Sequence, residues 1–281
     1  MPFIRYPGSK AKLVNAIYRT FPQRLTGGLF ATEGVEYREP FFGSGAMGFE
    51  VLTAINPRSS RVWLNDKDPW MVALWRSVLN QPNELRRRIA DFHPTADAFY
   101  EFKSKDGDLD VSDLDAGFMK LALHQMSVSG FGAMSGGPLG GREQTNASYP
   151  VDCRWNAQSL KRHVVRLHRL MAAFKEIRFT CRDFADVLIG TPADAFVYLD
   201  PPYVEKGEQL YKHNMTAADH ERMASIVQGL KCDWSLSYDD HPLVRRLYSW
   251  ATIREIEVTY TNATHAKGSR PKNREVVISR N

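Results

Sequence analysis

At 281 residues, 43% of them hydrophobic and 25% charged, the chain has the composition of a globular protein of one large or two small domains. It holds no apolar run of the roughly 18 residues a membrane span needs, no signal-peptide core follows Met1 to Tyr6, and Cys153, Cys181 and Cys232 form no C-x-x-C pair. An apolar membrane-spanning helix is therefore excluded, the cysteine spacing argues against a zinc site, a reducing, cytoplasmic setting is expected, and the net charge of +5 with a pI near 9.0 suits a polyanionic partner without establishing one.

Arg5-Tyr6-Pro7-Gly8-Ser9-Lys10 stands before the first strand. Val35 to Phe42 reads as that strand and runs into Gly43-Ser44-Gly45-Ala46-Met47-Gly48, after which Phe49 to Ile55 is apolar-periodic and helical. A G-x-G-x-x-G turn between strand and helix lets the backbone approach a ligand closely. Asp66 follows about twenty residues on, at the end of the apolar run Arg61-Val62-Trp63-Leu64-Asn65, where a carboxylate accepts both hydroxyls of a ribose. Two classes share this pattern: a nicotinamide or flavin oxidoreductase, and a methyltransferase whose glycine loop and acidic residue hold S-adenosylmethionine. The loop does not separate them.

From about Gln81 to Lys175 the chain is too long for a connector. Asn83 to Phe102 reads as helices. The acidic run Asp106 to Asp113 hints at a calcium loop but has Val111 where that loop needs Gly and Gly117 where it needs Glu, so a solvated turn is expected. Ser127 to Asn146 is glycine-rich, and loops of that length inside a compact domain are usually functional or disordered. Arg142, Gln144 and Asn146 carry side chains that read guanine and adenine edges, so a mobile recognition loop is expected, with a structural loop as the other reading. Leu160, Val164, Leu167, Met171 and Phe174 then form a helical apolar stripe. Lys161, Arg162, His163, Arg166, His168, Arg169 and Lys175 fill much of the remaining surface, either to contact phosphates or as a solvated face.

Phe179 to Phe184 precedes a short apolar segment, and Asp183 reads from the residues as its helix N-cap. Ala195-Phe196-Val197-Tyr198-Leu199 is a buried strand cut off by Asp200-Pro201-Pro202-Tyr203. Ligands of open α/β sheets sit at such strand ends. An acceptor beside a flat ring, on backbone stiffened by two prolines, suits the exocyclic amine of a planar base. Tyr203 stacks on the base while Asp200 and the Pro201 carbonyl accept from the NH2. A Pro-rich turn with a solvated Asp200 and a packed Tyr203 fits the same four residues. Two later segments are Trp234 to Pro242 and Asn273 to Ser279. Between them, Thr261 to Arg274, with Lys267, Arg270, Lys272 and Arg274, is a hairpin tip brushing a DNA backbone or a disordered loop.

These segments, in this order, resemble the Dam-like (D12 class, alpha-group) adenine-N6-specific DNA methyltransferases: the amino-terminal Y-x-G-x-K, Glu39 to Gly45, Leu64 to Pro69, Asp200 to Tyr203 and the two late strands. The resemblance runs almost end to end and is weakest from about residue 80 to 180. It implies an α/β fold, a Rossmann-like doubly wound, mostly parallel sheet with an inserted, mostly helical target-recognition region. Residues 1–80 would form the cofactor part, 81–175 the recognition region and 176–281 the catalytic part.

The resemblance also assigns roles. Tyr6 and Lys10 contact S-adenosylmethionine, Lys10 at its methionine carboxylate. Phe41, Phe42, Gly43 and Gly45 line the methionine and adenosine portions, Asp66 holds the ribose, and Asp183 and Phe184 surround the cofactor's adenine. Asp200, Pro201, Pro202 and Tyr203 hold a flipped-out adenine of double-stranded DNA for direct methyl transfer to N6, with no metal and no covalent intermediate. DNA contacts are expected from Arg142, Gln144, Asn146, Lys161, Arg162, Arg166, Lys267 and Arg270, in a protein expected to be a monomer. Cytosine-N4 methylation poses the same chemical problem. A protein glutamine methyltransferase prefers Asn where Asp200 stands, and a catalytically silent DNA-binding relative would not need the motif residues that are all present.

Overall fold

A computed structural model describes residues 3–5, 10, 13–26, 34–204, 213–257 and 274–280. Seven strands form one sheet: β1 (Glu36–Glu39), β2 (Arg61–Asn65), β3 (Glu176–Thr180), β4 (Phe196–Leu199), β5 (Asp233–Asp239), β6 (Thr252–Glu257) and β7 (Arg274–Ser279). Their order is β3-β2-β1-β4-β5-β7-β6, and β7 alone runs against its neighbours. The expected mostly parallel, doubly wound sheet is thus present. Strand order reverses between β1 and β4, so their carboxyl ends diverge into the crevice where such sheets hold ligands.

The alternation of side chains along β4 builds a core on each face. Phe196 and Tyr198 join Tyr37 and Leu64 on one side, while Val197 and Leu199 join Trp234, Leu236 and Ile278 on the other. All four residues of β4 are buried, which explains its unbroken apolar run. β1 is shorter than the Val35 to Phe42 expected. Pro40 has no N–H to continue a ladder, and Phe42 N crosses to donate to Asn65 O on β2 (2.8 Å).

On the amino-terminal side lie α1 (Val14–Tyr18), α2 (Gln23–Thr26) and α3 (Ala46–Ala54), the last starting three residues earlier than the apolar period indicated. Next come α4 (Pro69–Asn80), α5 (Pro82–Asp91), α6 (Ala96–Lys105), α7 (Asp113–Met126) and α8 (Ala157–Ala172). Leu85 and Ile89 of α5, Leu121 and Leu123 of α7, and Val164 of α8 lie in the same core as Tyr37 and Leu64. Residues 81–175 are therefore packed into the sheet's own core. The opposite face carries α9 (Phe184–Leu188), α10 (Ala217–Gly229) and α11 (Pro242–Leu247). Arg38, buried in mid-β1, donates to Val187 O (2.7 Å) and fastens α9 to the sheet. No helix among the described residues is long and apolar enough to cross a membrane.

Helices α4 and α7 approach closely because Gly117 has no side chain. A Cβ there would lie 2.6 Å from Leu74 Cα and 2.8 Å from Leu74 N, backbone atoms that cannot swing aside. We expect Gly117→Ala to cost roughly 1–3 kcal/mol in urea denaturation. Gly229→Ala at the end of α10, where nothing lies within 4 Å, should change stability by less than about 1 kcal/mol. Equal effects would contradict the close α4–α7 contact.

Candidate active site

A cavity of about 430 Å³ opens at the carboxyl ends of β1, β2 and β4, and it brings together both halves of the expected site. Lys10, Phe41, Phe42, Gly43, Asp66, Asp183, Phe184, Asp200 and Pro202 all line it. Tyr6, Lys267 and Arg270, with the segment 261–273, lie outside the described residues.

The glycine turn forms the floor. Gly45 is left-handed (φ 72°) and caps α3, and a Cβ on it would meet the Phe49 and Phe42 rings at 2.4 and 2.6 Å. Trp75 Nε1 on α4 donates to Gly43 O (2.9 Å), holding the turn down. Asn65 ties the strand ends together: its Nδ2 donates to Pro40 O (3.0 Å) and Arg182 O (3.1 Å), and its Oδ1 accepts from Arg182 N (2.9 Å).

Asp66 is fixed through both oxygens. Oδ2 accepts from Gly43 N (2.7 Å) and Oδ1 from Asp68 N (2.9 Å). Burial carries its pKa from an ordinary 3.8 to about 6, with the Asp68 charge adding and the two amides and Lys120 opposing. Asp68 caps α4 by accepting from Trp70 N and Met71 N, ahead of Pro69 at the first helical position. It also pairs with Lys120 Nζ of α7 at 2.5 Å, and Asp106 reaches the same ammonium at 3.5 Å. The solvated turn expected at Asp106 to Asp113 is thereby corrected at its first residue. The Asp106 side chain turns inward because a buried lysine on α7 needs a second carboxylate.

Asp183 is a helix N-cap that also lies in the cavity wall. It caps α9 by accepting from Ala185 N (3.0 Å), and it lines the cavity, where Arg222 of α10 holds it with two 3.0 Å bonds. Burial pushes Asp183 up, but Arg222 and the Ala185 amide outweigh it and hold the carboxyl below its usual range. The Arg222 guanidinium lies 4.4 Å over the Phe184 ring, and the Phe41 and Phe184 centroids are 5.7 Å apart.

Asp200 leaves the end of β4 beside Ser237 of β5, since Leu199 pairs with Leu236. Its Oδ1 accepts from Lys10 Nζ (2.7 Å) and from Ser237 Oγ (3.0 Å). Lys10 is 4% exposed and its ammonium stands 4.4 Å over the Tyr203 ring. Here the lysine expected at a cofactor carboxylate meets the Asp200 carboxylate instead. Pro201 and Tyr203 are buried, and the Tyr203 ring packs on Tyr238 at 6.2 Å. Glu39, at the end of β1, also lines the cavity and accepts from the Tyr37 hydroxyl (2.7 Å). Burial holds its carboxyl well above the usual range against that hydrogen bond, with Asp200 and Asp66 adding. Among the described residues no group of three or more His, Cys, Asp or Glu is placed to hold a metal.

The segment Ser127 to Asn146, expected to be a recognition loop, carries local structure. Single turns span Val128–Gly130 and Gly132–Met134, and Ser127 bridges Pro138. Gln144, expected to read bases, instead clasps this loop: Nε2 donates to Leu139 O (2.7 Å) and Gly141 O (2.5 Å), and Oε1 accepts from Val151 N (2.8 Å). Arg142 and Asn146 are exposed, Arg142 lying 4.9 Å over the Tyr100 ring. On α8 the apolar stripe is buried as expected, and Arg162 and Arg166 share its exposed face, with Lys161 half-buried. His163 packs on Phe3 and His168 bonds Leu79 O (3.0 Å), so these two serve packing. Glu39, Asn65, Lys120, Arg222 and Ser237 are among the residues in or behind the cavity wall that local pattern did not single out, as are His213, Asn214 and Met215.

The Asp66 shift has a measurable consequence. The folded protein holds this proton to higher pH than the unfolded chain does, so stability falls as pH rises from about 3.8 to 6. Asp66→Asn removes that dependence. Its stability relative to wild type should improve by roughly 2 kcal/mol from pH 4 to pH 7 in urea melts, a figure reduced for partial access to the cavity. A difference that does not move with pH would contradict the shift.

The family profile described as "D12 class N6 adenine-specific DNA methyltransferase" matches residues 6–262. The Type II methyltransferase M1.LlaDCHI of Lactococcus lactis subsp. cremoris is 22% identical over 292 residues, covering 99% of this chain and 94% of that protein. The Type II methyltransferase M.MjaIII of Methanocaldococcus jannaschii is 24% identical over 213 residues, covering 72% of this chain and 68% of that protein. Among solved structures, the rRNA methyltransferase AviRa of Streptomyces viridochromogenes aligns with 98% of this chain and 86% of its own at 17% identity and a TM-score of 0.37. With the profile spanning nearly the whole chain, and with Lys10, Gly43, Asp66 and Asp200 lining one crevice, the protein belongs to the D12 class of N6 adenine-specific DNA methyltransferases.

Proposed function

We propose that the protein binds double-stranded DNA as a monomer, takes a target adenine out of the helix, and methylates its N6 amine with S-adenosylmethionine as donor. The observation that carries this reading is the placing of Asp200 in one cavity with the Gly43 turn and Asp66, so that an acceptor for an amine faces a cradle for a nucleoside. The cradle fits the donor: Gly43 and Ser44 bring the turn's backbone to the cavity wall, Asp66 offers acceptors at a ribose position, and Phe41 and Phe184 offer apolar faces near Asp183. Lys10 would serve its carboxylate. When bound, S-adenosylmethionine supplies an electrophilic methyl group on a sulfonium.

The remaining work falls to the chain. An aromatic amine is a weak nucleophile because its lone pair is delocalised into the ring. Asp200 and the Pro201 carbonyl accept from its two N–H groups and favour a pyramidal nitrogen with its lone pair free. Much of the acceleration then comes from alignment of two bound reactants. A crevice of about 430 Å³ does not admit a base still stacked in a duplex, which supports base flipping. Tyr203 is the aromatic neighbour for the extruded base, and stacking of that kind contributes roughly 1–3 kcal/mol. Arg142, Asn146, Lys161, Arg162 and Arg166 remain the described candidates for DNA contact. Three free thiols fit a cytoplasmic protein.

Incubation with S-adenosylmethionine and unmodified genomic DNA, followed by nucleoside mass spectrometry, should yield N6-methyladenine. Asp200→Ala should lower the yield by at least about a thousandfold while retaining DNA binding. N4-methylcytosine as the product, or near-normal activity of Asp200→Ala, would contradict the reading.

A further inference from the structure

The carboxylate of Asp200 is not free to turn. Oδ1 takes two donors, Lys10 Nζ at 2.7 Å and Ser237 Oγ at 3.0 Å, whereas no described residue donates to Oδ2. Ser237 is fully buried on β5 and has a second contact, the Tyr198 hydroxyl at 2.8 Å. A serine hydroxyl has one proton. Because an ionised carboxylate only accepts, that proton points to Asp200, and Tyr198 must be the donor in the second bond. Burial and the nearby Asp200 charge keep the Tyr198 phenol protonated well beyond its usual range, so the direction of this relay does not change across working pH.

We infer that Ser237, backed by Tyr198, is a positioning residue for methyl transfer: it pins Oδ1 of Asp200 and so leaves Oδ2 as the oxygen that accepts from the substrate amine. The inference rests on the proposed role of Asp200. Lys10 alone does not give this selectivity. An ammonium on a four-carbon stem pairs with either oxygen, and the terminal torsion of an aspartate is broad and two-fold. Ser237 is held in the sheet by the register of β5 against β4, so its donor has a fixed direction. Sub-ångström placing of an acceptor is the kind of arrangement whose loss costs up to about a hundredfold in rate.

The test is single-turnover methyl transfer to DNA by wild type, Ser237→Ala, Ser237→Cys and Tyr198→Phe, with affinities for S-adenosylmethionine and DNA and thermal melting measured alongside. Ser237→Ala should slow transfer about 10- to 100-fold, with both affinities changed less than about twofold. Ser237→Cys, a weaker donor of similar size, should fall between alanine and wild type, and Tyr198→Phe should slow transfer several-fold. Wild-type rates in Ser237→Ala would overturn the inference. So would losses confined to affinity or melting, or a cysteine variant no faster than alanine. Should Ser237→Ala not fold, Tyr198→Phe carries the test, and an unchanged rate there overturns it. A wild-type protein that methylates no adenine would instead sink the proposed function, whatever the variants do.

Discussion

Four carboxylates, those of Glu39, Asp66, Asp68 and Asp200, crowd the carboxyl ends of β1, β2 and β4, and the rest of the site is arranged around that crowding. Partly withdrawn from water, each disfavours ionisation of its neighbours, as the upward shifts of Glu39 and Asp66 record. Two lysines, each 4% exposed, offset this: Lys10 at Asp200 and Lys120 at Asp68. Neither belongs to the sheet. One comes from the amino-terminal segment and the other from α7, so segments distant in sequence are needed before the strand ends can carry their charge. A buried lysine left without its carboxylate costs several kcal/mol, so these pairs constrain the fold as well as the chemistry.

The same logic divides labour around the crevice. On one side Asp66 is immobilised by backbone amides and by a capped helix, and Lys120, paired with Asp68, favours its charged form from close by. On another side Arg38 fastens α9 to β1, and Arg222 then clamps Asp183 and covers Phe184. At the end of β4 Asp200 is held by one flexible cation and one rigid hydroxyl. Asp66, Asp183 and Asp200, proposed to meet ligand, sit on short turns after strands, while the groups that hold them come largely from helices and from a neighbouring strand. That distribution gives exposure and rigidity together.

What the sequence disclosed follows from this division. The turns at Gly43 to Gly48, Asp66 and Asp200 to Tyr203 were legible because glycine, proline and an apolar strand leave local marks. The stripe of α8 was legible because its period is 3.6. Hidden from any local pattern were the partners: Lys120 is 52 residues from Asp68, Arg222 is 39 from Asp183, and Ser237 is 37 from Asp200. Nothing near any of them signals its partner, and only the packing of α7, α10 and β5 brings them in. For the same reason Asp106 read as solvated and Gln144 as a base reader. Each is polar on an acidic or glycine-rich stretch, and each is spent on an internal contact that the tertiary fold creates.

In the proposed reaction one crevice holds a nucleoside cofactor on Asp66 and presents a target adenine to Asp200. The decisive measurement is a structure of the protein with a non-reactive S-adenosylmethionine analogue and target-containing duplex DNA. The cofactor ribose is expected on Asp66, with an extrahelical adenine whose N6 lies about 2.7–3.2 Å from Asp200 Oδ2 and the Pro201 carbonyl. An adenine left stacked in the duplex, or a cofactor bound away from the Gly43 turn, would contradict it.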